Sequence, residues 1–409
     1  MLKPLNLTKI KDNFLPVSYA IFLLGFFFFP TSKSHSNFFY IAVALPFLIL
    51  VFARQIEIRL LFSSRILVLS TIFLCYMFVT LLWGENYELS DFFKYGRRVL
   101  YILIFLTVTM YLNQAFPRFL RRLLTLLCFA ALIAAIANIL LVYSQHPFPG
   151  TRLLGYGRLF NPIQASSIYG IVFIACVYLI QQQENKKSQF LYATILAFSF
   201  GYMLLAQSRG PLAALAFTIF VWILSVWMHP KAHGRHRIQI FGAGLLIVTT
   251  GLIIVAVYPE FFQSFITRGG GGTGYRLEIW GKFLTEAANA LWFGHGLNAD
   301  TRIIMADGTA IPNPHGFYIS TLFFGGIIGL SLLLILVASA LWHGLIRAGK
   351  PINFVLGLML LFGSICVVAD GYTLIQHPNP FWLFFLFPLA AIAASELPEN
   401  PLRSQDDGK

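Results

Sequence analysis

The stretch 123-LLTLLCFAALIAAIANILLVY-143 decides the fold. It carries no charge from end to end, and it is entered through Arg118, Arg121 and Arg122. A helix needs about 20 consecutive apolar residues to cross the hydrocarbon core of a bilayer. Runs of the same kind continue outward in both directions, from Phe14 to Ala394. The spans read as 13–30, 37–53, 66–83, 98–112, 123–143, 165–181, 189–206, 211–228, 239–258, 316–342, 353–369 and 379–395. The sequence therefore predicts an all-α polytopic membrane protein of about 12 transmembrane helices.

Composition agrees. Of 409 residues, 58% are hydrophobic and 11% charged, against about a quarter charged in soluble domains. No Pro/Gly/Ser-rich linker separates two cores, so residues 1–409 read as a single integral membrane domain. The net charge of +13 does not point to nucleic acid, because the basic residues fall in small groups between apolar runs. Cys75, Cys128, Cys176 and Cys366 all lie inside such runs without CxxC spacing, which indicates neither a disulfide frame nor zinc. Lys3, Lys9 and Lys11 precede the first run and no small-residue cleavage site follows it. That pattern reads as a retained first helix.

Charge sets the orientation. With the N-terminus inside, the inner connections hold 18 of the 29 Lys and Arg residues. Cytoplasmic loops carry such an excess. Both termini are then cytoplasmic, and the long 259–315 segment becomes a large periplasmic loop between helices 9 and 10. Long ordered loops tend to be functional, so the reactive groups are expected in it and at the helix ends beneath it.

Three segments on that face carry candidates. Gln207-Ser208-Arg209-Gly210-Pro211 joins two helices. A helix N-terminus with an added arginine suits a phosphate, although an interfacial turn with a snorkelling arginine fits as well. Gly269 to Gly274 lead into Tyr275 and Arg276 without the Gly-Lys-Ser/Thr of a nucleotide loop. From Tyr275 to Leu291 the residues Trp280, Phe283, Leu284, Ala287, Ala288 and Leu291 recur at helical spacing. They predict an interfacial helix lying on the membrane surface. Pro312-Asn313-Pro314-His315-Gly316 ends the loop and fixes His315 at the mouth of the next helix. A neutral imidazole there accepts a proton near pH 7; a structural role for a single interfacial histidine stays open beside that. Asp370 and His377 sit at the outer end of helix eleven, where either could meet the large loop. Glu85, Glu88 and Asp91 share a loop with Lys94, Arg97 and Arg98 and read as local ion pairs before a metal site. His35, His146 and His295 lack metal-ligand spacing.

Together these residues resemble the O-antigen ligase family of bacterial inner membranes, which shares a superfamily with O-antigen polymerases and some protein oligosaccharyltransferases. The resemblance rests on Ser208-Arg209-Gly210-Pro211, on Arg276 followed by Trp280 and Trp292-Phe293-Gly294-His295-Gly296, and on His315 with Ile319 and Gly326. The last is similar to a His-Asn-x-x-Leu-x6-Gly pattern, from which this chain departs at Gly316 and Ile319. The resemblance covers most of the chain.

It implies an undecaprenyl-diphosphate-linked glycan as donor and lipid A–core oligosaccharide as acceptor, joined at the periplasmic face of the inner membrane. It implies His315, Arg209 and Arg276 as catalytic residues. Arg209, Arg276, Tyr275, Trp280, Arg152 and Arg158 would contact substrate. From charge and side alone, Arg152, Arg158, Lys94, Arg97 and Arg98 read as a basic outer rim that could hold the phosphorylated acceptor. The transfer would be metal-independent, without a cofactor, and inverting. An O-antigen polymerase is the nearest alternative. A lipid-linked sugar transporter or flippase is the alternative of another class, and it would want charged residues along a central cavity.

Overall fold

In the computed structural model the described residues are 7–84, 88–228, 276–305, 310–311, 313–347 and 349–398, with isolated positions at 242, 244, 245 and 249. All but those four positions of the expected span 239–258 lie outside them, as do all of 259–275, with the glycine run 269–274 and Tyr275, and residues 306–309.

Among the described residues, nine helices are long and apolar enough to cross a membrane. They are α1 (Leu7–Phe28), α2 (Ser32–Phe52), α3 (Arg65–Trp83), α4 (Leu89–Ala115), α5 (Phe119–Tyr143), α6 (Pro162–Gln181), α7 (Lys186–Leu205), α8 (Arg209–Met228) and α10 (Phe317–Arg347). Between α8 and α10, residues 276–289 form the helix α9. Two shorter apolar helices follow, α11 (Pro351–Cys366) and α12 (Trp382–Ser395). The protein is an all-α multi-pass membrane protein whose only strands among the described residues, β1 (Ile303–Ile304) and β2 (Ala310–Ile311), pair as a small hairpin.

The bundle is organised around α6. Every residue from Ala165 to Leu179 is buried, so this helix contacts protein on all sides. It packs against α5, α7, α8 and α11. The outer helices instead expose large apolar side chains such as Phe52, Phe190 and Trp227. An apolar perimeter of this kind suits lipid rather than water.

Local irregularities follow from proline. Three π-helical stretches, Ile10–Phe14, Phe39–Ala44 and Trp382–Leu386, each run into a helix with Pro at its first or second position, Pro16, Pro46 and Pro388. Proline has no N–H and its ring crowds the carbonyl four residues earlier, and a π turn relieves that clash. The helix α4 begins at Leu89, well before the expected residue 98. Asp91, Lys94, Arg97 and Arg98 thus stand on its first turns and not in a loop. The pairing expected there is present between Asp91 and Lys94, at 3.2 Å.

Candidate active site

The site is built on a broken helix. α10 loses helical geometry at Gly326, which has φ +63°. A break inside a membrane helix frees backbone groups that lipid cannot satisfy. Here the segment after α9 satisfies them. The N–H groups of His295 and Gly296 donate to the carbonyls of Phe323 and Phe324 at 2.9 and 3.0 Å. In return, the N–H groups of Ile327 and Ile328 donate to Leu291 and Trp292 at 2.8 and 3.3 Å. This exchange needs glycine on both sides. A Cβ at Gly326 would sit 2.3 Å from the Trp292 carbonyl oxygen, and one at Gly294 would sit 2.4 Å from the Phe324 backbone. The Trp-Phe-Gly-His-Gly motif is a backbone clamp that fastens α9 to the kink.

Fastened this way, α9 turns Ile279, Phe283 and Ala287 inward, and the Phe283 ring meets Phe323 edge-on at 5.4 Å. Leu277 and Leu284 remain exposed along its other edge, and Leu291 is exposed just past its end. The stripe read from the sequence is therefore split, with half packed on protein and half left apolar and open. His295 is spent structurally. Its Nε2 lies 2.9 Å from the Glu286 carbonyl oxygen, and its ring stacks on Phe323. His35 is likewise caged by Phe22, Phe26 and Phe29, with Nε2 at 2.8 Å from the Phe22 carbonyl.

Trp280 then reaches across to the turn that carries His315. Its indole Nε1–H donates to the Pro314 carbonyl at 3.0 Å. The Asn313 side chain accepts the His315 N–H at 3.0 Å, closing an Asx turn. His315 has φ +47°, a region that non-glycine residues rarely occupy and that recurs at functional sites. The turn is pinned to the end of α11 by the Phe317 N–H, which donates to Val367 at 3.0 Å. A Cβ at Gly316 would lie 2.9 Å from the Val368 carbonyl and 3.3 Å from the Trp280 indole nitrogen. That contact explains why this chain holds glycine where the family pattern has asparagine.

Pinning the turn to Val367 and Val368 brings Asp370 to it. This carboxyl is buried at 8% exposure, and its Oδ2 has no hydrogen-bond partner among the described residues. Burial raises the Asp370 pKa, while the Gly371 N–H, His315, Arg276 and Gln164 oppose that rise. His315 is shifted the other way. Partial desolvation lowers its pKa, the Asp370 carboxylate raises it, and Arg276 lowers it. The three groups form one electrostatic unit made of an imidazole held neutral, a buried carboxyl and a guanidinium. Sequence reading had set Asp370 only at the right helix end. The signal that identifies it is the aspartate placed four residues past the end of α11.

Arg209 opens α8, at the same end of the bundle. The turn before it is tight, with Gln207 at φ +49° and Gln207 and Ser208 both buried. Arg152 holds this turn. Its Nε donates to the Ala206 carbonyl at 2.8 Å and its Nη2 to Ser208 Oγ at 3.1 Å. Arg158 is also tied inward, through Nη1 to Ser32 Oγ and through Nη2 to the Pro378 carbonyl at 2.9 Å. The structure thus groups Arg276, Trp280 and His315 closely, sets Arg209 at the head of α8, and gives Arg152 and Arg158 anchoring contacts. Tyr275 lies outside the described residues. A groove of about 820 Å³ opens on the flank of α9, between Glu278, Lys282 and Glu286 on one side and Asp300 to Ile304 on the other. No group of three or more His, Cys, Asp or Glu side chains that could hold a metal occurs among the described residues.

The fold and this end of the bundle define a multi-pass membrane protein with a loop-borne polar site. Residues 194–334 match the family model described as O-antigen ligase, a stretch that includes Arg209, Arg276, His315 and both halves of the clamp. The chain is also similar to an O-antigen ligase of Pseudomonas aeruginosa. The two are 27% identical over 381 residues, 93% of this chain and 90% of that one. Over these stretches the chain is similar to the O-antigen ligases.

Proposed function

We propose that this protein ligates O-antigen polysaccharide from undecaprenyl diphosphate onto lipid A–core oligosaccharide at the periplasmic face of the bacterial inner membrane. The observation that carries the reading is the electrostatic unit of His315, Asp370 and Arg276 at the mouth of a broken membrane helix. A sugar hydroxyl is a weak nucleophile and needs a base with a pKa close to the working pH. A lipid diphosphate is a good leaving group and needs charge stabilisation more than a proton.

In this mechanism the acceptor hydroxyl gives its proton to the His315 imidazole as its oxygen bonds to the anomeric carbon. The bond from that carbon to the diphosphate oxygen breaks, and the electron pair leaves with undecaprenyl diphosphate. Arg209 and Arg276 hold the departing charge with directional hydrogen bonds. Asp370 stabilises the imidazolium that forms. Attack opposite the leaving group inverts the anomeric centre. Two guanidinium groups do the work that a divalent ion does in metal-dependent transferases, so the reaction is metal-independent. The groove beside α9 gives the emerging glycan room. The segment 259–315 acts as a periplasmic loop of one membrane domain, and the open Leu277 and Leu284 edge of α9, with Leu291 just past its end, rests on the bilayer surface.

The test is complementation. Wild type and His315→Ala are expressed in a strain lacking its own ligase, membrane levels are matched, and lipopolysaccharide is run on a gel. Wild type restores long-chain ladders, and the variant leaves bare core with accumulated lipid-linked polymer. Wild type that lengthens lipid-linked chains without moving them to core would make the protein a polymerase instead.

A further inference from the structure

The loop between α11 and α12 carries Asp370 near its start and His377 near its end. Tyr372, between them, lies against Thr301, with the two hydroxyls 3.4 Å apart. At the His377 end, basic groups from three parts of the chain meet. Arg158 approaches through its bond to the Pro378 carbonyl, one residue from His377. Arg98 stands on α4 with its guanidinium 5.1 Å from the Tyr95 ring centroid, and Arg97 precedes it. Arg98 and Arg158 are the two charged neighbours that act on His377, and each pushes its pKa below the ordinary histidine range, as partial desolvation does first.

No carboxylate acts on His377 or Arg158 among the described residues. Asp91, the acidic residue on the first turns of α4, is already paired with Lys94. Arg158 is partly buried, and its buried Nε has no hydrogen-bond partner among the described residues. Buried charge is normally paired, because leaving water is costly. Converging guanidinium groups with no acid between them have the chemistry of an anion site. Their forked donors match phosphate oxygens. The depth of the cluster narrows the ligand further. It lies where α2 and α4 begin and α12 starts, beside the stacked rings of Tyr40 and Tyr101, 4.1 Å apart. Tyrosine gathers at the water–headgroup boundary of a bilayer.

We propose that Arg97, Arg98, Arg158 and His377 form a second anion site, distinct from Arg209 and Arg276, that binds the phosphate of an amphiphile lying at the bilayer surface. Its assignment to the acceptor rests on the ligase reading given above. The phosphate chemistry does not. With Asp370 and His377 on one loop, an acceptor held here by a phosphate presents its sugar toward His315. A glycerophospholipid headgroup offers the same chemistry, and the experiment separates the two.

The full-length protein is purified in a non-ionic detergent, and binding is measured by native mass spectrometry and thermal shift. The probes are lipid A–core glycolipid with its phosphates, the same glycolipid dephosphorylated with hydrofluoric acid, and phosphatidylglycerol against phosphatidylcholine. The variant is R97Q/R98Q, which leaves the Arg158 anchor in place, with R98K as a charge-retaining control. Phosphorylated glycolipid binding is expected to fall at least fivefold in R97Q/R98Q and less in R98K, with dephosphorylated glycolipid unaffected. The same loss for phosphatidylglycerol alone keeps the phosphate site and assigns it to the headgroup. Wild-type affinity of R97Q/R98Q for both phosphorylated probes, in protein that elutes and melts like wild type, overturns the site. Binding that tracks phosphate in a protein that transfers no glycan would leave the site standing and remove the ligase reading. Glycan transfer with no phosphate dependence would do the reverse.

Discussion

The Trp280 indole nitrogen lies 3.0 Å from the Pro314 carbonyl oxygen and donates to it, one residue before His315. That bond ties α9 to the turn that carries the imidazole. In Trp280→Phe an aromatic ring remains but the donor is lost. A hydrogen bond of this kind contributes about 0.5–1.5 kcal/mol, and about 1.4 kcal/mol is a factor of ten in rate. A drop of several-fold to tenfold in kcat is expected, with the donor KM little changed. Steady-state transfer assays on the purified variant decide it. A rise in donor KM at constant kcat would show that Trp280 contacts the donor and does not hold the turn.

The clamp makes a prediction about folding. Gly326→Ala places a Cβ 2.3 Å from the Trp292 carbonyl oxygen at a positive φ. Alanine in such a conformation costs more than about 1 kcal/mol, and the clash adds to it. Gly281, inside α9, has open space where its Cβ would stand. Exchanging glycine for alanine in a helix gains up to about 1 kcal/mol. Melting in detergent is therefore expected to fall sharply for Gly326→Ala and to rise slightly or stay level for Gly281→Ala. Equal melting temperatures for both would remove the clamp from the account.

The opposing influences on His315 predict the direction of two pH shifts. Its pKa is lowered from the ordinary histidine value of 6.5, first by desolvation. The neutral base is thus present at pH 7 and lost as pH falls, which gives kcat/KM an acid limb below 6.5. The Asp370 carboxylate raises this pKa and Arg276 lowers it. Asp370→Asn is expected to move the limb to lower pH, and Arg276→Gln to move it to higher pH, each on top of a loss in absolute rate. Limbs that move in the same direction in both variants would separate His315 from the titrating group.

The helices were readable because a membrane span is a composition averaged over about 20 residues, and 123–143 or 316–342 leave no other interpretation. The start of α4 was not, because Asp91, Lys94, Arg97 and Arg98 break the apolar average while the backbone remains helical. Arg276, His315 and Gly326 were visible in the sequence as chemistry or as glycine. The meaning of Gly294, Gly296 and Gly326 was not, since it lies in a segment some thirty residues away: Gly296 donates to the Phe324 carbonyl, and Gly294 and Gly326 let the backbones at Phe324 and Trp292 approach closely. Asp370 needed the contact between the His315 turn and Val367 before it became part of the site. Arg152 and Arg158 looked alike as basic loop residues, and only their partners separate them.

That separation is itself testable. Arg152 makes two contacts to the Ala206–Ser208 turn, immediately before Arg209. Lysine keeps the charge but offers no planar fork, so Arg152→Lys keeps at most one of the two contacts. The turn then holds Arg209 less firmly, and the loss of one hydrogen bond worth about 0.5–1.5 kcal/mol predicts a rise of up to tenfold in the donor KM. Arg158 bonds to Ser32 at the start of α2 and to the Pro378 carbonyl just before α12. Arg158→Lys is expected to lower the melting temperature while leaving the donor KM near that of wild type. Measuring both quantities on both variants crosses the two roles. A donor effect confined to Arg158→Lys and a folding effect confined to Arg152→Lys would exchange the assignments and would move the donor diphosphate from the head of α8 to the loop beneath α2.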